Sequence, residues 1–316
     1  LTYAKLRLDE RSLRTLHEHV GDFAESLPRA LCWSAAWDMT RDAELPARDY
    51  VATVLNGIGR ETDIGVVQSL LRQAQSAITL FSDPSWIPTG RAQLATAAHD
   101  ALLAAEPGSD LQLAWVRALA AIASSDEHLS LLAGLLDGTA TVPGLDVDTD
   151  LRWSLLHRLV VVGRAGDAEI DAELQRDATA AGERHAATAR AARPTAAAKD
   201  EAWRLAVQDE SVPNAVQSAV IGGFWSADQL PLLEPFVEAY FDAVAEVWET
   251  RTAEMAQNVV IGLYPSLLVS PAVVERTDAY LAANDVPPAL ERLLLEGRDG
   301  VARSLRARAK DASAAT

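Results

Sequence analysis

The chain has 316 residues, 49% of them apolar and 23% charged, and a formal charge of −17. That length supports one large domain or two ordinary ones with a substantial core, while so acidic a surface repels nucleic acid and anionic membranes. Six histidines and a single cysteine, Cys32, leave no internal disulfide and no multi-cysteine metal site.

Residues Thr2–Leu8 alternate late in the run, Leu6 and Leu8 against Lys5 and Arg7, which predicts a short strand. A strand with no partner downstream reads as the end of a preceding β domain, residues 1–8. From Asp9 the period becomes helical. Asp9-Glu10-Arg11-Ser12 opens one helix, the next spans Ser26–Arg41, and Pro46 starts a third that Gly57 and Gly59 end.

Ile64, Val67, Leu71, Ala74 and Ile78 then fall on one helical face, as do Leu233, Val237, Tyr240, Val244 and Trp248, and near the end Leu290, Leu294, Val301 and Leu305. Breaks at Pro107–Ser109, Gly163–Gly166, Pro194, Val212–Pro213, Pro265–Pro271 and elsewhere divide the chain into about fifteen helices. The irregular stretch Asp137–Asp148, with Pro143 and Gly144, separates possible halves 9–137 and 148–310 of one helical domain, 9–316. Helix pairs recurring every 35–45 residues or so fit a HEAT-like solenoid. The expected fold is therefore all-α, an irregular HEAT-like α-superhelix with a leftover N-terminal strand.

Met255–Val274 runs twenty residues without a charge, a membrane-spanning length. Pro265, Pro271, Gln257 and Asn258 argue instead for two buried helices with a turn between them, and the chain reads as cytoplasmic. The amides of Gln257 and Asn258 need hydrogen-bond partners, in helix packing or on a ligand-holding concave face. Arg152-Trp153, opening a helix after the mid-chain loop, is the other segment of this kind. The basic run Arg298, Arg303, Arg306, Arg308 and Lys310 reads as a solvated helix face.

Catalytic patterns are missing. His17-Glu18-His19 places its histidines on opposite sides of a helix, where they cannot share a tetrahedral ion. His99, His128, His157 and His185 stand alone, and Cys32 between Leu31 and Trp33 reads as an inert buried thiol. No nucleophile elbow, phosphate loop or dinucleotide fingerprint occurs.

The opening Leu1-Thr2-Tyr3-Ala4-Lys5-Leu6-Arg7-Leu8-Asp9 resembles the junction between the small β-sandwich and the C-terminal helical domain of aminopeptidase N-type zinc proteases. Leu27-Pro28-Arg29-Ala30-Leu31, Ala36-Trp37-Asp38-Met39-Thr40-Arg41-Asp42, Asp150-Leu151-Arg152-Trp153, Arg190-Ala191-Ala192-Arg193-Pro194, and Glu254-Met255-Ala256-Gln257 with Gly262-Leu263-Tyr264-Pro265 resemble actinobacterial versions of that domain. The family's His-Glu-x-x-His zinc helix and Gly-x-Met-Glu-Asn loop do not occur, so no catalytic residue or metal ligand is carried over.

The resemblance implies a non-catalytic domain of a zinc aminopeptidase. Such a domain caps the catalytic domain, encloses the substrate chamber and meets peptide substrates together with the other domains of its own chain. Zinc would belong to the intact enzyme. Arg152, Trp153, Gln257 and Asn258 are the candidates for the chamber wall. A free-standing HEAT-like protein-binding scaffold is the alternative, and a helical enzyme built from scattered carboxylates a remote third.

Overall fold

The computed structural model describes residues 4–314, and every regular element among them is helical. The chain divides into two compact units, one running through Val147 and taking in Arg303 and the residues after it, the other spanning Asp148–Ala302. No helix among the described residues is long and apolar enough to cross a membrane.

The first unit contains α1 (Glu10–His19), α2 (Ser26–Arg41), α3 (Ala47–Gly57), α4 (Ile64–Ser76), α5 (Ile87–Ala104), α6 (Asp110–Ile122) and α7 (Asp126–Asp137). Polar side chains set the helix starts. Asp9 accepts from Ser12 N, Asp63 from Gly65 N and Val66 N, Ser109 from Gln112 N and Ser125 from His128 N, satisfying donors that a helix N-terminus leaves open. Of the face read from the sequence, Val67, Leu71, Ala74 and Ile78 are buried and Ile64 is half-buried. Gln112 ties the loop after α7 to α6, donating to Pro143 O at 3.0 Å and accepting from Gly108 N at 2.9 Å.

The strand expected at Thr2–Leu8 is not formed by its described residues, while Thr2 and Tyr3 lie outside them. Ala4–Leu8 has no regular structure and no strand beside it; an isolated strand has no ladder to hold it. Side chains fix the segment instead. Lys5 pairs with Asp42, Arg7 pairs with Glu44, and Leu8 N meets Met39 Sδ at 3.3 Å.

The second unit contains α8 (Thr149–Val161), α9 (Asp167–Arg176), α10 (Ala180–Ala191), α11 (Ala196–Trp203), α12 (Asn214–Phe224), α13 (Leu230–Leu233), α14 (Phe236–Thr250), α15 (Ala253–Gly262), α16 (Pro271–Ala283) and the first part of α17 (Pro288–Ser313). α15 and α16 flank Pro265, so the uncharged run is two helices and a turn. Within this unit α8 packs on α10, α10 on α12 and α12 on α15, while α9, α11 and α14 pack against members of that row. The α10–α12 approach is close because Gly223 has no side chain: a Cβ there would stand 2.1 Å from Thr188 O.

Two π-helical turns, Ala77–Phe81 and Arg204–Gln208, follow α4 and α11. Distant side chains take up their carbonyls. Arg308 donates to Thr79 O and Leu80 O at 3.0 and 3.1 Å, Gln217 to Ala206 O at 2.9 Å, and Arg251 to Val207 O at 2.9 Å. Arg308 and Arg298, the latter paired with Asp278 at 2.7 Å, are thus held in place. The basic run of α17 is in part a set of anchors, not a uniformly solvated face.

Candidate functional site

The row α8–α10–α12–α15 carries all four residues singled out from the sequence. Arg152 stands in the first turns of α8 and reaches Glu173 of α9 through two bonds of 2.7 Å. That bidentate geometry keeps the guanidinium charged and oriented. Trp153 is 2% exposed, donates to Asp177 Oδ2 at 2.9 Å and stacks on His185 with ring centres 5.6 Å apart. These two residues fasten the start of α8 to α9 and α10.

Gln257 and Asn258 sit on α15, separated from α8 in the row by α10 and α12, so the pairs are not brought together. Asn258 is half-buried and donates to Asn214 Oδ1 at the start of α12, 2.9 Å away. Gln257 is exposed, one turn from the exposed Ile261. On neighbouring α12 the exposed positions Ala215, Ser218 and Gly222 are all small, and a Cβ added at Gly222 would meet nothing. The exposed positions of α12 are thus small, and on neighbouring α15 Gln257 and Ile261 stand exposed.

At the C-terminal ends of α8, α10 and α12 lies a polar cluster that the sequence does not announce. Lys199 is 0% exposed and its Nζ donates to Ala191 O at 2.8 Å and Phe224 O at 2.7 Å, the last carbonyls of α10 and α12. Gln229 Nε2 donates to Val161 O at 2.9 Å, where α8 ends, and to Ala192 O at 2.8 Å, just past α10. Three helices thus end side by side, and a cation sits where their dipoles are negative. Arg158 of α8 pairs with Asp228, next to Gln229, at 2.6 Å. Burial pushes the Lys199 ammonium down to about 8 and the His157 imidazole down to about 4, so His157 is neutral.

The remaining histidines do not assemble into a centre. His17 bonds Thr53 and Asn56, whereas His19 bonds Asp22, so the two diverge as their spacing requires. His99 and His128 rings lie 5.2 Å apart. Among the described residues no three His, Cys, Asp or Glu side chains are grouped to hold a metal ion. Burial raises the Cys32 thiol, which disfavours a thiolate nucleophile.

In comparisons with known proteins, residues 1–303 match the ERAP1-like C-terminal domain family. The chain is 58% identical over 321 aligned positions to Aminopeptidase N of Streptomyces lividans, an alignment that covers 100% of this chain and 37% of that relative.

Proposed function

The chain belongs to the ERAP1-like C-terminal domain family, and on that premise we propose that it is the non-catalytic helical part of a zinc aminopeptidase that removes N-terminal residues from peptides. The observation that carries this reading is the 58% identity, across the whole chain, to a protein named Aminopeptidase N. The chain spans 37% of that relative's length, and the chemistry belongs to the rest of the enzyme. Zinc would be held there; among the described residues no three His, Cys, Asp or Glu side chains are grouped to hold a metal ion.

The role left to this chain is to cap the catalytic domain and enclose the peptide chamber. Its partners in that role are the catalytic and β domains of its own polypeptide, with residues 1–8 as the end of the β domain, and peptide substrates. Neither nucleic acid nor membrane suits a charge of −17. The compartment we propose is the cytoplasm, in keeping with one cysteine and no internal disulfide. Gln257 and Asn258 are the proposed wall contacts, on α15 beside α12. Arg152 and Trp153 brace the same row of helices through Glu173 and Asp177.

The test uses the intact enzyme. Gln257→Trp would add bulk at an exposed position of α15 and raise KM for long peptides at least about threefold, leaving an alanyl anilide unaffected. Equal KM values for both substrates in variant and parent would remove Gln257 from the chamber.

A further inference from the structure

Two histidines from different helices meet in the first unit. His99 lies on α5 and His128 is the third residue of α7, and their rings stand 5.2 Å apart with a tilt of 38°. Ser124, Ser125, Asp126 and Glu127, which lead into α7 and begin it, are exposed, whereas the next two residues, His128 and Leu129, are buried. One of the two side chains that seat the first turn of α7 is therefore a ring that can take up a proton.

The place suits that ring only while it is neutral. Its Nδ1 is buried and has no hydrogen-bond partner. A neutral imidazole can carry this nitrogen as a bare lone pair, whereas an imidazolium makes it a donor, and a buried donor without an acceptor is costly. The first turn is also the positive end of the helix dipole, which opposes a cation. From α5 the His99 ring adds its own repulsion once charged.

Two carboxylates act the other way. Glu127 precedes His128 on α7, and Asp100 of α5 has its Oδ1 3.5 Å from His99 Nδ1. Both are exposed to water, which weakens their pull. The turn Ala123-Ser124-Ser125 between α6 and α7 brings no charge. Burial and the neighbouring His99 prevail, and the His128 imidazole is held below its ordinary value of 6.5. The rest of α7 is fastened separately: Leu132 and Leu135 are buried, and Gln112 ties the loop beyond the helix to α6.

We propose that His99 and His128 form an acid-sensitive latch, which seats the first turn of α7 on α5 while the rings are neutral and releases it when both are charged. Release puts His128 in water, where an imidazole titrates at about 6.5. As pH falls from there toward the lower value of the closed latch, the open form binds more protons, so opening gains by up to about tenfold per pH unit. Such a latch lies within the first unit and is separate from any role in enclosing peptide.

Amide hydrogen exchange of the full-length protein, corrected for the intrinsic rate at each pH, reads the latch directly. Residues 128–132 should lose protection at least about threefold between pH 7.5 and pH 5, while residues 115–119 of α6 keep theirs. Equal loss in the two segments, or no loss at 128–132, would overturn the latch. His128→Gln has nothing to titrate there and should show the same protection at both pH values; a loss that persists in this variant counts equally against the proposal.

Exchange at the imidazole C2 position, followed by mass spectrometry, gives the titration of His128 in the unmodified protein and does not depend on how well His128→Gln folds. A midpoint below about 6.5, moving up in His99→Gln, is expected. A midpoint at or above that value, or one that His99→Gln leaves in place, would show that the two rings do not work as a latch.

Discussion

Replacing Lys199 by Met tests the helix-end cluster through its pH dependence. The side chain is fully buried, and its amine donates to the terminal carbonyls of α10 and α12. Its folded value near 8 lies below the unfolded value near 10.5. Between those values the unfolded chain binds more protons, so stability rises with pH there. At pH 7 both states are charged and the burial penalty is about 3 kcal/mol, at 1.36 kcal/mol per unit of pKa.

By pH 9.5 only about 1 kcal/mol of that penalty remains, so the parent gains about 2 kcal/mol from this group alone. Lys199→Met has nothing to titrate and leaves two buried carbonyls unpaired, at about 1–3 kcal/mol each. At pH 7 that loss is offset by the relieved penalty. At pH 9.5 the variant should trail by about 2 kcal/mol more. Urea unfolding of both proteins at pH 7, 8 and 9.5, followed by tryptophan fluorescence, measures the gap. Tyrosine ionisation is common to both and cancels. A gap constant to within about 0.5 kcal/mol, or one that narrows as pH rises, would refute the reasoning.

Glu61 accepts from Arg29 Nε at 3.0 Å and Trp33 Nε1 at 2.7 Å in the core. Glu61→Ala strands a buried guanidinium and should cost about 3–5 kcal/mol in chemical denaturation, with much of the loss recovered when Arg29→Met is added. Neighbouring glycines on α12 should respond with opposite signs. Gly223→Ala drives a Cβ toward Thr188 O and should lower stability by about 1–3 kcal/mol. Gly222→Ala, in open space, should raise it by up to about 1 kcal/mol, and thermal melts decide both. Asp311, fully buried, accepts from Arg48 N and Nε, Arg48 Nη2 and Asp83 N. Asp311→Ala should therefore cost about 3–5 kcal/mol by urea titration, although it lies near the end of the chain.

Helices were legible because their signals are local. The bounds Ser26–Arg41 follow from apolar spacing and the turn chemistry beyond it, and Pro265 divides the uncharged run as a residue without an N–H must. The segment at Thr2–Leu8 was harder, since alternation predicts a strand only where a neighbouring strand completes the ladder. Its described residues instead use Lys5 and Arg7 to reach Asp42 and Glu44.

The helix-end cluster was invisible for a different reason. Lys199, Gln229 and the carbonyls they meet lie 8–68 residues apart, and nothing in Ala198-Lys199-Asp200 marks the lysine as buried. Arg308 and Asp311 likewise look like surface residues of a terminal helix until their partners near residues 48 and 80 are in view. For the proposed chamber wall, sequence located polar residues in apolar runs. Only packing separates Trp153, held inside, from Gln257, left outside.

The most direct test of the central claim is the hydrolysis of an alanyl anilide by two proteins, the full-length polypeptide and the chain of residues 1–316, each supplied with zinc. The account predicts chelator-sensitive turnover by the full-length protein and none by the helical chain. Chelator-sensitive turnover by the helical chain, or no turnover by the full-length protein, would contradict it.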